Sequence, residues 1–451
     1  MFVLSKVLTE ESVEREKAMD VKKLYDEYMI TSMVAGIEPI VVERASGCAI
    51  TGQDGKSYLD CFSGIAVTNA GHGHPKVVAA AKAQMDQLVH GATYVYYNPR
   101  AGELAKRLAE ITPGSLQKSF LGNSGAEAVE GALRLAKQFT KRKEVVSLSM
   151  GFHGRTVGTL SVSGNRRVKK GTGPYLSGVA FAPAPYCYRC PFKSTYPGCG
   201  MACAEFVDQV FRYQTSGDVA AFLAESVLGE GGIIVPPAEY FAIATKIVRD
   251  DGALYIADEV QCGFGRTGRM FACEHYGVVP DIMCMAKGIA DGFPLSAFTA
   301  RADVAAAFTP GDHLSTFGGN PVSCAAALAN IEVMVSEDLP ANAALRGEQL
   351  MRRLSVFKDQ CALVGDVRGK GLMIGIELVT DAKKTPAVKE AAQVRERCRE
   401  KGLLVGIGGV YGNVIRLQPP LVLTESEASR AADILEQVFR SVCGKDKEPH
   451  N

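Results

Sequence analysis

The chain has 451 residues, 47% of them apolar and 22% charged, with 50 basic against 49 acidic side chains and a formal net charge of +1. That is material for a large core in more than one lobe, and a balanced charge without a basic block argues against nucleic acid or an anionic membrane as partner. No apolar run reaches the roughly 18 residues of a membrane span.

The start, MFVLSKVLTEESVEREKAMD, turns charged too early for a signal peptide. Thirteen cysteines, an odd number scattered through apolar stretches, suggest reduced thiols and a cytoplasmic location rather than a disulfide framework. Residues 12–34 read as an amphipathic helix, and GCAITGQDGKSYLD (47–60) as two strands joined at an Asp-Gly turn. A short strand ends at Gly122, and a helix over 124–139 follows, with Ala126, Val129, Ala132, Leu133, Ala136 and Phe139 on one face. The apolar runs at 144–149, 178–183, 253–260, 281–286 and 295–300 read as buried strands. Strands alternating with helices predict a mostly parallel sheet covered on both faces.

Beyond residue 330 the pattern changes to helices over 323–336 and 341–356 and strands over 371–379, 403–407 and 413–417. A last helix starts at Thr424 with Glu427 three residues on, a capping box, and runs to about 442. The final GKDKEPHN reads as a frayed polar tail.

Open α/β sheets bind ligands at the C-terminal ends of their strands, and three polar signals fall at such ends. Gly122-Asn123-Ser124-Gly125 leads straight into a helix, whose free N–H groups and positive end suit a phosphate, although glycines in such turns are often only structural. Asp258, Glu259 and Gln261 end an apolar strand, where carboxylates could hold a metal, pair with a cation or cap a segment. Lys287 follows MCMA and enters a glycine-rich turn. Burial there would favour the neutral amine needed for a Schiff base, whereas a lone lysine at a strand end is usually surface. Together the three suit one ligand with a phosphate, a ring nitrogen and an aldehyde, which pyridoxal 5′-phosphate (PLP) provides.

The ordered segments GNSGAEAVEGALRLAK, FHGRT, GEGG, ADEVQCGFGRTG, AKGIADGFPLSAF, STFGGNPVSCAAA and NVIRLQPPL, spread over residues 37 to 440, resemble the class III aminotransferases of PLP fold type I. The resemblance implies an α/β fold. Its central sheet would be mixed, mostly parallel and seven-stranded, with helices on both faces and a smaller α+β lobe beside it. Residues 1–62 would form an N-terminal helix and hairpin belonging to the small lobe, 63–330 the large PLP-binding domain, and 331–451 the C-terminal small domain.

It also implies roles. Lys287 would carry the cofactor and shuttle the proton, and Asp258 would face the pyridinium nitrogen. Val260 and Phe152 would cover the two ring faces, and Gln261 would donate to the phenolic oxygen. Gly125 and Ala126 would bind the phosphate, together with Thr316 from a neighbouring subunit. That last role implies a homodimer, or a tetramer of dimers. Arg155 would bind the carboxylate remote from the reacting amine, and Arg416 an α-carboxylate. Glu230 would neutralise Arg416 while an ω-amino substrate is bound. Ile65 would lie on the substrate side, where the dialkylglycine decarboxylase branch has glutamine.

The expected activity is transfer of an amino group from an ω-amino acid of the 4-aminobutyrate type to 2-oxoglutarate or pyruvate. The alternatives are ornithine, acetylornithine or β-amino acid aminotransferases, an amino acid racemase or epimerase, and a catalytically silent PLP-fold binding protein. Intact Lys287 and Asp258 argue against the last.

The chain departs from the family pattern at Ser226, usually proline, at Leu228, usually glutamine, and at Asp291, usually glycine. Cys187, Cys190, Cys199 and Cys203 have a spacing that zinc or an iron–sulfur cluster could use. With no histidine nearby, a loop of reduced thiols is preferred and no metal is assigned. His72 and His74 look like a metal pair, but the resemblance makes their segment a structural turn. His153 is expected to pack and hydrogen-bond rather than act as acid or base.

Overall fold

The computed structural model describes residues 21–30 and 38–443. The helix expected over 12–34 is therefore seen only in part, as Val21–Tyr28, and the polar tail lies outside the described residues.

Seven strands form the central sheet, in the order Leu116–Gly122, Ser296–Arg301, Ile282–Met285, Leu254–Asp258, Val219–Glu225, Glu144–Leu148 and Val179–Ala182. Only Ser296–Arg301 runs antiparallel, against both of its neighbours. Parallel strands buried on both faces read as continuous apolar runs, and every residue of LYIAD and IMCM is buried. The sequence analysis passed over Val219–Glu225, which is also buried throughout and pairs with Glu144–Leu148 and Leu254–Asp258. Its VAAFLAE is rich in helix formers, so its place between two strands is set by tertiary pairing.

Helix Gly125–Thr140 begins at a complete capping box between Ser124 and Glu127. Its Ala128, Val129, Ala132, Leu133 and Ala136 pack on one sheet face, against Leu223, Ile256, Ile282 and Phe298. The opposite face is covered by other helices, including Ala202–Tyr213 and Tyr240–Asp250. Their Val207, Val210, Phe241 and Val248 lie in one cluster with Phe222 and Tyr255.

Two four-stranded sheets flank this core. In one, Val42–Ser46, Ala49–Gly52 and Ser57–Asp60 form the expected hairpin region, joined in parallel by Leu403–Leu404. The other has the order Val364–Lys370, Met373–Leu378, Val414–Leu417 and Gly406–Gly408. The single strand expected over 403–407 is thus divided between two sheets. Glycine permits the switch, because a Cβ at Gly406 would collide with the Phe62 ring and one at Gly408 would crowd the Arg416 guanidinium.

The thirteen cysteines are not all reduced, which corrects the expectation from composition. Cys361 and Cys443 are disulfide-bonded with their Cα atoms 5.5 Å apart, closing 82 residues of chain and tying the end of helix Glu425–Val442 to the small lobe. Spacing alone could not reveal a pair so far apart in the chain. Unfolded, unreduced protein should titrate eleven thiols, and thirteen after reduction. Cys443→Ser should lower the unfolding free energy by about 2–4 kcal/mol in denaturant titrations.

Candidate active site

Because the parallel strands share one direction, their C-terminal ends meet at one edge, where a cavity of about 380 Å³ opens. Lys287 lies just beyond strand Ile282–Met285 in the left-handed region, at φ 45°, and its side chain lines the cavity. Among the described residues its amine makes no hydrogen bond or ion pair. Burial holds its proton affinity below that of an ordinary lysine, and the Arg416 cation adds to this. The carboxylates of Asp258, Glu225 and Glu230 oppose it.

Asp258 ends the adjacent strand. Its Oδ2 lies 2.7 Å from His153 Nδ1, and its Oδ1 accepts the Val260 N–H at 3.0 Å. His153 Nε2 in turn meets the Ser147 hydroxyl at 3.2 Å, so both ring nitrogens are committed to orienting the carboxylate. Glu225 is in register with Asp258 on the next strand and also lines the cavity. It accepts the N–H groups of Phe152 at 2.9 Å and Gly229 at 2.7 Å. Burial pushes its carboxyl up to about 7, with His153 opposing and Asp258 reinforcing the shift. Glu225 had no role read from the sequence; its one signal there is that it ends an apolar run four residues before Gly229 opens a glycine-rich turn.

The first turn of helix Gly125–Thr140 points into the same cavity. The N–H groups of Asn123 and Ser124 are taken by the Glu127 carboxylate. Gly125 and Ala126, at the first two helical positions, have no intrahelical acceptor, so they can receive an anion. A Cβ at Gly125 would come within 2.8 Å of Val260, so glycine is what lets this turn approach the strand end. An apolar slot between Val260 and Phe152, a cavity-facing carboxylate, a buried amine and two free helix N–H groups together fit pyridoxal phosphate.

Arg155 also lines the cavity, with its guanidinium 5.6 Å from the Phe152 ring centre. Among the described residues it makes no hydrogen bond or ion pair. Arg416 is buried, donates to Glu230 at 2.9 Å and to the Ile407 carbonyl at 3.1 Å, and lies over the Phe62 ring. Glu230 and Gln261 line the cavity. Ile65, at φ 73°, and the exposed Thr316 do not line it within one chain.

The departures acquire physical explanations. The Ser226 hydroxyl donates to Glu259 at 2.5 Å, and Glu259 also accepts the N–H groups of Ala272 and Cys273. Glu259 is therefore the structural partner of the acidic pair. Leu228 is fully buried, with its backbone paired to Ile234. The four cysteines of the 187–203 loop line a small cavity of their own. Among the described residues no three His, Cys, Asp or Glu side chains are placed to hold a metal ion. His72 faces Asp60 at 2.8 Å and His74 faces Glu337 at 3.7 Å.

Asp291 sits at φ 49°, a conformation that favours glycine, and accepts the Ala70 N–H at 2.9 Å. Burial raises its carboxyl to about 7, against the pull of the Ala70 N–H, His72 and Arg266. An unfolded aspartate titrates near 4. The folded state therefore holds the extra proton between these values, and stability falls as pH rises from about 4 through 7. Asp291→Asn keeps the acceptor and removes the titration. Its melting temperature relative to the parent should climb across that window and level off above it. A difference independent of pH would contradict the shift.

The family model described as Aminotransferase class-III matches residues 32–439. Three relatives are similar over most of the chain. An acetylornithine aminotransferase of Methanothermobacter thermautotrophicus is 41% identical over 89% of this chain and 94% of its own. A leucine/methionine racemase of Thermococcus litoralis is 40% identical, over 90% and 91%. A 4-aminobutyrate aminotransferase of Mycobacterium leprae is 38% identical, over 89% and 91%. Among solved structures, an amine transaminase from an uncultivated Pseudomonas species, in a PLP-bound form, superposes with a TM-score of 0.85 at 36% identity, over 92% of this chain and 98% of that one. With a family match across nearly its whole length and the sheet those relatives share, the chain belongs to the class III aminotransferases, PLP-dependent enzymes of fold type I.

Proposed function

We propose that this aminotransferase takes the amino group of an ω-amino acid of the 4-aminobutyrate type and delivers it to a 2-oxo acid such as 2-oxoglutarate or pyruvate, in alternating half-reactions. The observation that carries the proposal is the contrast between the two arginines. Arg155 faces the cavity with no hydrogen-bond or ion-pair partner among the described residues, while Arg416 is held by Glu230 at 2.9 Å. An ω-amino acid brings its carboxylate far from the reacting amine and needs one free guanidinium there. It also needs the second arginine silenced, since no α-carboxylate is present. A 2-oxo acid carries an α-carboxylate, and Glu230, on a glycine-flanked turn, can give up Arg416 to it. The planar fork of arginine suits both tasks.

When bound, PLP supplies an aldehyde that takes the substrate amine and a ring that spreads the charge left when a neighbouring C–H bond breaks. The chain does the rest. Asp258, oriented by His153, keeps a proton on the ring nitrogen. The Gly125 and Ala126 N–H groups hold the phosphate, and Val260 and Phe152 fix the plane of the ring. Lys287 anchors the cofactor between turnovers. Its Nζ, when neutral, would take the proton from the amine-bearing carbon and hold it for return. Burial of Lys287 favours that neutral form.

The same proposal includes a homodimer in which Thr316 reaches the phosphate across the interface. Support comes from its exposure beside Leu314 and Phe317 and from a second exposed apolar group, Val95, Tyr96 and Tyr97. Eleven free cysteines support a reducing, cytoplasmic setting.

A second activity has its own support, the 40% identity to a racemase. It would use the same lysine and return the proton to the other face of the substrate carbon.

A panel of amines and 2-oxo acids, followed by the spectral change of the cofactor, tests the donor class. Reaction with ω-amino acids is expected, and a protein that accepts only α-amino acids would refute the role of Arg155. Arg155→Ala should raise KM for the ω-amino acid by about 10–100-fold, the worth of a charge-assisted hydrogen bond, and leave the half-reaction with pyruvate, which has no remote carboxylate, much less affected. Racemisation of a single-enantiomer amino acid without any 2-oxo acid, followed by circular dichroism, would favour the second activity.

A further inference from the structure

Gln261 projects into the cavity from the strand end, and its amide has two unlike faces. Only its NH₂ group can donate to a phenolate, while its carbonyl would repel one. Among the described residues its side chain has a single hydrogen-bond partner. The Gln418 Nε2 donates to the Gln261 Oε1 at 3.2 Å.

Gln418 comes from the small lobe, directly after strand Val414–Leu417, and is fully buried. Its backbone is held on both sides, while its side-chain Oε1 has no hydrogen-bond partner among the described residues. Its N–H donates to the Cys61 carbonyl at 2.8 Å, and its carbonyl accepts the Ser63 hydroxyl at 2.5 Å. Gly229 closes in on the same end of the Gln261 amide, where a Cβ would overlap the carboxamide oxygen. The glutamine usual at position 228 is a buried leucine here, so no amide reaches Gln261 from that turn.

We propose that Gln418 is a positioning residue. By donating to the Gln261 carbonyl it selects the amide orientation that turns the Gln261 NH₂ toward the phenolic oxygen of the cofactor. The small lobe thereby sets a donor inside the large lobe's site. The inference rests on Gln261 facing that oxygen, and the experiment separates the two ideas.

A donor at the phenolic oxygen stabilises negative charge there. That charge grows when the nitrogen joining Lys287 to the cofactor loses its proton. Losing the donor should therefore raise the pKa of that nitrogen, which is read directly from the pH dependence of the visible absorption of the PLP-loaded protein. Gln418→Met preserves volume and removes the donor. It should raise the absorption pKa by about half to one unit, and Gln261→Met should raise it by at least as much. If Gln418 acts through Gln261, the double variant should shift no further than Gln261→Met alone.

An unchanged absorption pKa in Gln418→Met, with a shift in Gln261→Met, overturns the positioning role and leaves Gln261 in place. Additive shifts overturn it as well, since Gln418 would then act by another route. No shift in Gln261→Met removes the premise itself.

Discussion

Glu225, Asp258 and Lys287 are buried ionisable groups that face one cavity, and in a low-dielectric site none can carry charge without compensation. The surroundings of the site follow from that constraint. Asp258 is held by His153 and by the Val260 N–H. Glu225 has two backbone donors and still rises to about 7, because burial and the neighbouring Asp258 outweigh them. Lys287 has no hydrogen-bond or ion-pair partner among the described residues and is shifted toward the neutral amine, the form its chemistry uses.

The cavity lies where the lobes meet, and buried polar side chains join them there. Arg266 is fully buried. It donates to the Leu372 carbonyl at 3.1 Å, to the Pro419 carbonyl and to Asn69 Oδ1 at 2.6 Å, so one guanidinium links three distant parts of the chain. Its burial lowers its proton affinity to about 9, yet it stays charged at neutral pH. Arg416 and Gln418 leave the same small-lobe strand and reach Glu230 and Gln261 on the large-lobe side. A shift of that strand would thus alter substrate charge matching and the cofactor's surroundings together.

Much of the site was legible in the residues. Gly125 needs no side chain, Asp258 and Lys287 end apolar strands, and the two arginines lie in distinctive short motifs. The structure brings most of these into one cavity, while Arg416 meets it through Glu230 and Ile65 and Thr316 lie outside its walls within a single chain. Glu225 was not legible. Its strand, VAAFLAE, carries the composition of a helix, and only pairing between two established strands makes it extended. The division of 403–408 between two sheets escaped notice for a similar reason. Glycines at 406 and 408 have no periodicity to read, and their function is to admit Phe62 and Arg416.

The sequence by itself determined what local chemistry encodes: the alternation that makes a parallel sheet, the capping box at Thr424, the helix N-terminus suited to phosphate, and a lysine at a buried strand end. Tertiary structure alone decided which distant groups meet. It paired Arg416 with Glu230, Gln418 with Gln261 and Cys361 with Cys443, and among the described residues it left Arg155 unpaired. Spacing along a chain carries no information about partners 80 to 190 residues away, because those contacts depend on how whole strands and helices pack, not on the residues beside them.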